Sequence, residues 1–189
     1  MTLERTPEAA KPPRRLSAEQ RERFDAQVLP HLDAAYNLAR YLLRDPHEAE
    51  EAVQNAFLRA MEYFEGLRGS DGRAWLLSIV RNVCYTHFRR RRSGGQKVEF
   101  DEEIHSAEPE MPEPEADLER SLAVASVREG LDRLAIEFRE VLVLRELEGL
   151  SYKEIAQVTH VPIGTVMSRL ARGRKQLLLA LGADVKEGA

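Results

Sequence analysis

The sequence predicts an all-α fold: two small helical domains joined by a flexible acidic linker. Three observations carry that expectation. Apolar residues recur at three- and four-residue steps over two long blocks, residues 18–92 and 118–181. Between them, Ser93–Asp117 holds nine acids, one lysine, three prolines and few apolar residues. Aromatic residues make up only 6% of the chain, and runs of β-branched residues are scarce, which disfavours sheets.

The first block begins at about Ala18, after a tail over residues 1–17 that holds no apolar segment long enough for a signal peptide. Leu32, Ala35, Tyr36, Ala39 and Leu43 then repeat with helical spacing. "DPHEAEEAVQNAFLRAMEYF" opens with Asp45 as the expected N-cap, Pro46 in the first turn and Glu48 near the positive helix end. Its apolar stripe runs from Ala49 through Ala52, Val53, Ala56, Phe57 and Ala60 to Phe64. Glu50, Glu51, Gln54, Asn55 and Glu62 are left on the other side. "GLRGSDG" (Gly66–Gly72) breaks the pattern with three glycines. The next helix, "RAWLLSIVRNVCYTHFRRRR", is expected to bury Leu76, Ile79, Val80 and Val83.

The intervening acidic segment, residues 93–117, cannot bury enough surface to offset its ordering entropy, so it is expected to be a self-repelling linker. Helical spacing resumes at Leu118. "LAIEFREVLVLRELEG" reads as an amphipathic helix with Gly149 as its glycine C-cap. Ser151 then caps a short helix over Tyr152–Val158, "THVP" turns the chain, and Pro162 begins a second helix reaching about Leu177. This is a helix-turn-helix. Its turn carries His160 where glycine is usual, a residue that tolerates a left-handed conformation better than most. On the second helix Ile163, Val166, Met167 and Leu170 are expected to point inward. Thr165, Ser168, Arg169 and Arg172 follow at i, i+3, i+4 and i+7 on the outer face. A C-terminal tail over 182–189 completes the chain.

Charge is sorted by position. The chain has net charge −4, yet Ser151–Lys175 sums to +4, leaving about −8 for the rest. Residues 66–92 carry seven arginines against one acid, Asp71, with Trp75, Tyr85 and Phe88 interleaved. Arginines among aromatics suit single-stranded nucleic acid, where bases stack and phosphates need countercharge. The helix-turn-helix suits duplex DNA, with a second helix that reads base edges and grips phosphates.

Other chemistry is disfavoured. Cys84 is the single cysteine, so no intramolecular disulfide is possible, and a reducing cytoplasm is the expected location. Cys84 with His87 is too small a set for zinc, and His31, His47, His105 and His160 are scattered. No nucleophile–base pair, calcium loop or phosphate-cradling glycine loop is apparent, so neither a cofactor nor an enzyme activity is expected. No apolar run approaches the ~20 residues that span a bilayer. A repressor or activator acting through the C-terminal half alone explains the helix-turn-helix but gives the arginine–aromatic helix no purpose. A membrane-surface reading fails on Thr165 and Ser168, which stand where bulky apolar anchors would be needed.

Taken in order, these blocks resemble bacterial RNA polymerase sigma factors of the extracytoplasmic-function group, which keep only regions 2 and 4. "DPHEAEEAVQNAFLRAMEYF" is similar to the region 2 helix that docks on the polymerase clamp. "WLLSIVRNVCYTHFRRRR" is similar to the helix that recognises and melts the −10 element. "LAIEFREVLVLRELEGLSYKEIAQVTHVPIGTVMSRLARGRKQL" is similar to region 4, which reads the −35 element. The resemblance covers residues from about 22 to 180. It implies that the 18–92 domain binds the clamp and the −10 element, and that the 118–181 domain binds the −35 element. Core RNA polymerase, promoter DNA and an anti-sigma protein are the implied partners, and the implied role is transcription initiation at a specialised, stress or envelope type of regulon. Carried residue by residue, it assigns Glu51, Gln54, Asn55 and Phe57 to polymerase binding. Arg68, Arg73, Arg81, Asn82, Tyr85 and Arg89 fall to the −10 strand, and Thr165, Ser168, Arg169, Arg172 and Lys175 to the −35 duplex.

Overall fold

Several helix starts in this chain, those after Ser17, Asp45 and Ser151 among them, are set by short polar side chains that satisfy orphan backbone donors. In a computed structural model describing residues 16–67, 71–93 and 115–187, every regular element among those residues is helical. Helix α1 (Ala18–Gln27) begins at Ser17, whose hydroxyl accepts from the Gln20 N–H while the Gln20 side chain accepts from the Ser17 N–H. A 3-10 turn (Leu29–His31) leads into α2 (Leu32–Leu43). Helix α3 (Pro46–Tyr63) is capped by Asp45, which accepts from the Glu48 N–H at 2.9 Å. Helix α4 spans Gly72–Ser93. The second half contains α5 (Glu115–Asp132), α6 (Ile136–Leu142) with a π-helical turn after it (Val143–Leu147), α7 (Tyr152–Thr159) and α8 (Ile163–Glu187).

The two elements of the helix-turn-helix are tightly specified. Ser151 and Glu154 form a reciprocal capping box at the start of α7, and those hydrogen bonds hold the Glu154 carboxyl below its ordinary range. His160 closes α7 in the left-handed region at φ 56°, and Gly149 adopts φ 67° just before Ser151. Helix α8 continues past Leu177 through Glu187, so most of the expected C-terminal tail is helical. Likewise α5 begins at Glu115, inside the segment expected as linker. The rest of that linker, 94–114, and the tail over 1–15 lie outside the described residues.

Alanines let the first half pack closely. Ala49, Ala52, Ala56 and Ala60 on α3 face Ala35, Leu38, Ala39 and Leu42 of α2, with Leu76, Leu77, Val80 and Cys84 of α4 closing the core. Ile79, expected inside, is only half-buried. Phe24 and Phe64 meet edge to face at 5.2 Å, and Phe64 meets Trp75 at 6.4 Å. In the second half Leu142, Leu144, Leu150, Ile155, Val166 and Leu170 are buried. The two cores are continuous: α2 packs on α6, and α4 packs on α7.

Gly72 has a packing duty that the glycine-rich loop does not reveal. A Cβ at this position would stand 1.9 Å from the Gln27 carbonyl oxygen, while one at Gly66 would meet nothing within 4 Å. Backbone cannot rotate out of the way as a side chain can. Gly72→Ala should therefore destabilise the first half by about 1–3 kcal/mol. A urea titration should show a lower midpoint with an unchanged slope; an unchanged midpoint would mean that α1 and α4 can separate at little cost.

Candidate nucleic-acid interface

Helices α4 and α8 carry most of the cations singled out by charge. On α8 no acid occurs between Ile163 and Ala180, whereas Arg169, Arg172, Arg174 and Lys175 do. The structure places these groups unequally. Ser168, Arg172 and Lys175 are exposed, while Thr165 and Arg169 are half-buried. Ser168 donates to the Thr165 carbonyl at 3.0 Å, and Arg174 pairs with Glu146 at 2.7 Å. Val166 and Leu170 are buried as their spacing predicts. Ile163 and Met167 are not: they are 46% and 53% exposed. The buried apolar seam of α8 runs along Val166, Leu170 and Gly173, where a Cβ on Gly173 would sit 3.1 Å from Leu142. That narrow seam leaves Ile163 and Met167 outside it.

On α4, Asn82 is exposed, as are Arg89 and Arg90. Arg91 and His87 reach Glu48 of α3, each at 3.3 Å. Arg68 lies outside the described residues. The remaining members of the −10 set point across the molecule. Arg81 donates to Glu140 at 2.8 and 3.3 Å, and the Tyr85 hydroxyl donates to the same carboxylate at 2.9 Å. The Arg81 guanidinium lies 4.2 Å from the Tyr85 ring centre. Arg169 of α8 completes the cluster, 3.3 Å from the other Glu140 oxygen. Arg73 pairs with Glu148 at 2.9 Å, and Asn37 donates to that same carboxylate at 3.2 Å. One arginine assigned to each DNA element thus shares a single carboxylate, Glu140, which is 0% exposed.

The electrostatics follow from this geometry. Burial works against the Arg81 charge, but the hydrogen bonds and charge of Glu140 outweigh it and hold the guanidinium above its ordinary value. Burial, with Glu140 beside it, pushes the Tyr85 phenol well up. Nearby, Arg139 donates to the carbonyls of Tyr41, Leu134 and Asp132, and burial followed by the Arg44 charge pulls it down to about 10. Arg44 in turn reaches the Asp132 carbonyl. Burial pushes the Cys84 thiol up to about 12, so it packs as a small apolar group.

Glu140, Glu148 and Asp132 escape a reading by periodicity alone. Their one signal is the Arg139–Glu140 pair standing between Phe138 and the apolar run Val141–Leu144, an unusual place for charge. The aromatics expected among the arginines are also engaged: Phe88 meets Tyr85 edge to face at 6.3 Å, and Trp75 lies on Phe64.

A separate face is formed by α3. Glu51, Gln54 and Asn55 are exposed, Phe57 is half-buried, and Leu58 beside them is 63% exposed. Among the described residues no helix is long and apolar enough to cross a membrane, and no group of three or more His, Cys, Asp or Glu is placed to hold a metal ion.

Residues 28–94 match the family Sigma-70 region 2, and residues 125–177 match Sigma-70, region 4. The chain is 33% identical over 172 residues to the RNA polymerase sigma-H factor of Pseudomonas aeruginosa, covering 87% of this chain and 89% of that protein. It is 37% identical over 155 residues to the ECF RNA polymerase sigma factor SigE of Mycolicibacterium smegmatis, covering 82% of this chain and 60% of that one. Among solved structures, the sigma factor RpoE in complex with the anti-sigma factor NepR, from Bartonella quintana, superposes with a TM-score of 0.68 at 27% identity, over 85% of this chain and 98% of that one. CnrH in complex with the cytosolic domain of CnrY gives 0.61 at 26%, over 85% and 88%. With two helical halves in this order, the chain belongs to the extracytoplasmic-function group of RNA polymerase sigma factors, which bind core RNA polymerase and direct promoter recognition in transcription initiation.

Proposed function

We propose a division of labour among three surfaces of this sigma factor. The α3 face, with Glu51, Gln54, Asn55 and Phe57, docks on core polymerase. Helix α4, through Arg73, Arg81, Asn82, Tyr85 and Arg89, captures and melts the −10 strand, with Arg68 in the preceding loop beside it. Helix α8, through Thr165, Ser168, Arg169, Arg172 and Lys175, lies in the major groove of the −35 duplex. The carrying observation is the acid-free, cation-rich stretch of α8 over Ile163–Ala180 next to a capped α7, the arrangement a helix-turn-helix needs to approach phosphates.

In the closed arrangement Arg81, Tyr85 and Arg169 are held by Glu140, and Arg73 by Glu148. DNA phosphates and bases must replace those carboxylates, so binding couples to separation of the halves. An anti-sigma protein that favours the closed arrangement would keep the DNA-binding groups engaged; the solved relative RpoE, bound to the anti-sigma factor NepR, supports the expectation of such a partner. The protein acts in the cytoplasm as a non-catalytic initiation factor, without a cofactor, at a specialised regulon.

Two substitutions on α8 test the −35 assignment. In holoenzyme presented with a promoter library, Arg172→Ala should relax base preference at one −35 position by about 1–3 kcal/mol. Lys175→Ala should weaken all sequences alike and reduce the salt slope by about one. Identical behaviour of the two variants would remove the distinction between reading and gripping on this helix.

A further inference from the structure

Arg169 turns toward Glu140 in this fold, and two apolar side chains occupy the outer side of α8 in its place. Ile163, Met167 and Ala171 are all exposed and lie four residues apart, so they form one line along the helix. Gly164 beside them has open space where a Cβ would stand, which leaves the surface flat enough for close approach. Arg172 borders the line.

We propose that Ile163 and Met167 read the −35 element through the 5-methyl groups of thymines. The proposal rests on the assignment of α8 to the −35 duplex and names what its apolar line recognises. In the major groove the other three bases present hydrogen-bonding groups, and thymine alone adds an apolar group. An apolar side chain pressed on donors or acceptors would strip their water without replacing it, whereas on a methyl it loses nothing. Ile163 stands in the first turn of α8, and N-terminal residues of a recognition helix are the ones that meet base edges. Met167, unbranched and with several rotatable bonds, can follow a methyl whose exact position varies with local groove geometry. Four residues of helix rise ~6 Å, close to two base-pair steps of ~3.4 Å, so the pair suits methyls about two steps apart. Lys175 grips the backbone without choosing a base and Arg172 reads a position of its own, so this line adds base choice beyond what the cations supply.

The test uses holoenzyme assembled from core polymerase and the full chain, on a promoter it transcribes, with −35 thymines replaced singly by deoxyuridine. That change removes a methyl and nothing else. Wild-type holoenzyme should bind about fourfold more weakly at one or two positions, the effect of one methyl left in water. Met167→Ala should abolish the thymine–uracil difference at one of them, and Ile163→Ala at the other. Wild type indifferent to deoxyuridine at every position, with Arg172→Ala still weakening −35 binding, refutes methyl reading alone. Arg172→Ala without effect on −35 binding refutes the placement of α8 on DNA, and the proposal with it. A Met167→Ala chain that no longer joins core polymerase shows that the apolar line docks on protein, which also overturns the proposal.

Discussion

Glu140→Gln should separate the two halves of the free chain. Glu140 is fully buried and is the shared acceptor for Arg81, Tyr85 and Arg169. A glutamine keeps the shape but removes the charge, leaving two guanidinium groups facing each other with little water between them. Breaking a buried ion pair from one side costs about 3–5 kcal/mol. Because Arg169 keeps about a quarter of its side chain exposed, the lower end applies. About 3 kcal/mol shifts the open-to-closed ratio by roughly a hundredfold. The separation is measurable by energy transfer between dyes at Glu62→Cys and Gln176→Cys, both at exposed positions. Cys84 is buried with its thiol pushed up to about 12, so it does not compete for label. Transfer should fall in the Glu140→Gln background, and binding of a single-stranded −10 oligonucleotide by the free protein should tighten, since the competent state is no longer scarce. An unchanged distance between the dyes would show that the apolar contacts of α2 with α6 and α4 with α7 hold the halves together without this cluster.

Asn82→Ala should leave polymerase binding and closed-complex formation intact while slowing promoter opening by about fivefold to 150-fold, the worth of a bidentate base contact at about 1–3 kcal/mol. Asn82 is exposed on α4 one residue from Arg81, so it can meet DNA before the halves part. Opening requires a protein that binds unpaired bases better than paired ones, because only differential affinity moves that equilibrium. Extruding a base costs a few kcal/mol, which a pocket on α4 must return. A premelted −10 bubble should restore much of the lost run-off yield. Permanganate reactivity of −10 thymines on duplex and bubble templates reports both steps. Wild-type opening rates on duplex DNA would place strand capture elsewhere.

The sequence by itself determined the helical class, both blocks, and the polar and apolar sides of α3. It also located the capped α7, the turn at His160 and the start of α8. These are local properties: capping, periodicity and backbone conformation depend on neighbours within a few residues, and that is what a linear pattern records. The inward placement of Ile163 and Met167 failed for a tertiary reason. Period alone gives a wide apolar stripe, but the buried apolar seam of α8 is narrow and runs along Val166, Leu170 and Gly173. The chain also reads as two independent domains, because nothing local says that carboxylates beyond residue 130 will meet arginines before residue 82. The charged pair at Arg139–Glu140 hints at burial but not at a partner, and Arg81 looks like a free phosphate ligand until Glu140 occupies it. Burial and ion pairing between distant segments depend on which surfaces the fold brings together. Only the tertiary structure could show that one buried carboxylate holds an arginine from each proposed DNA-binding helix.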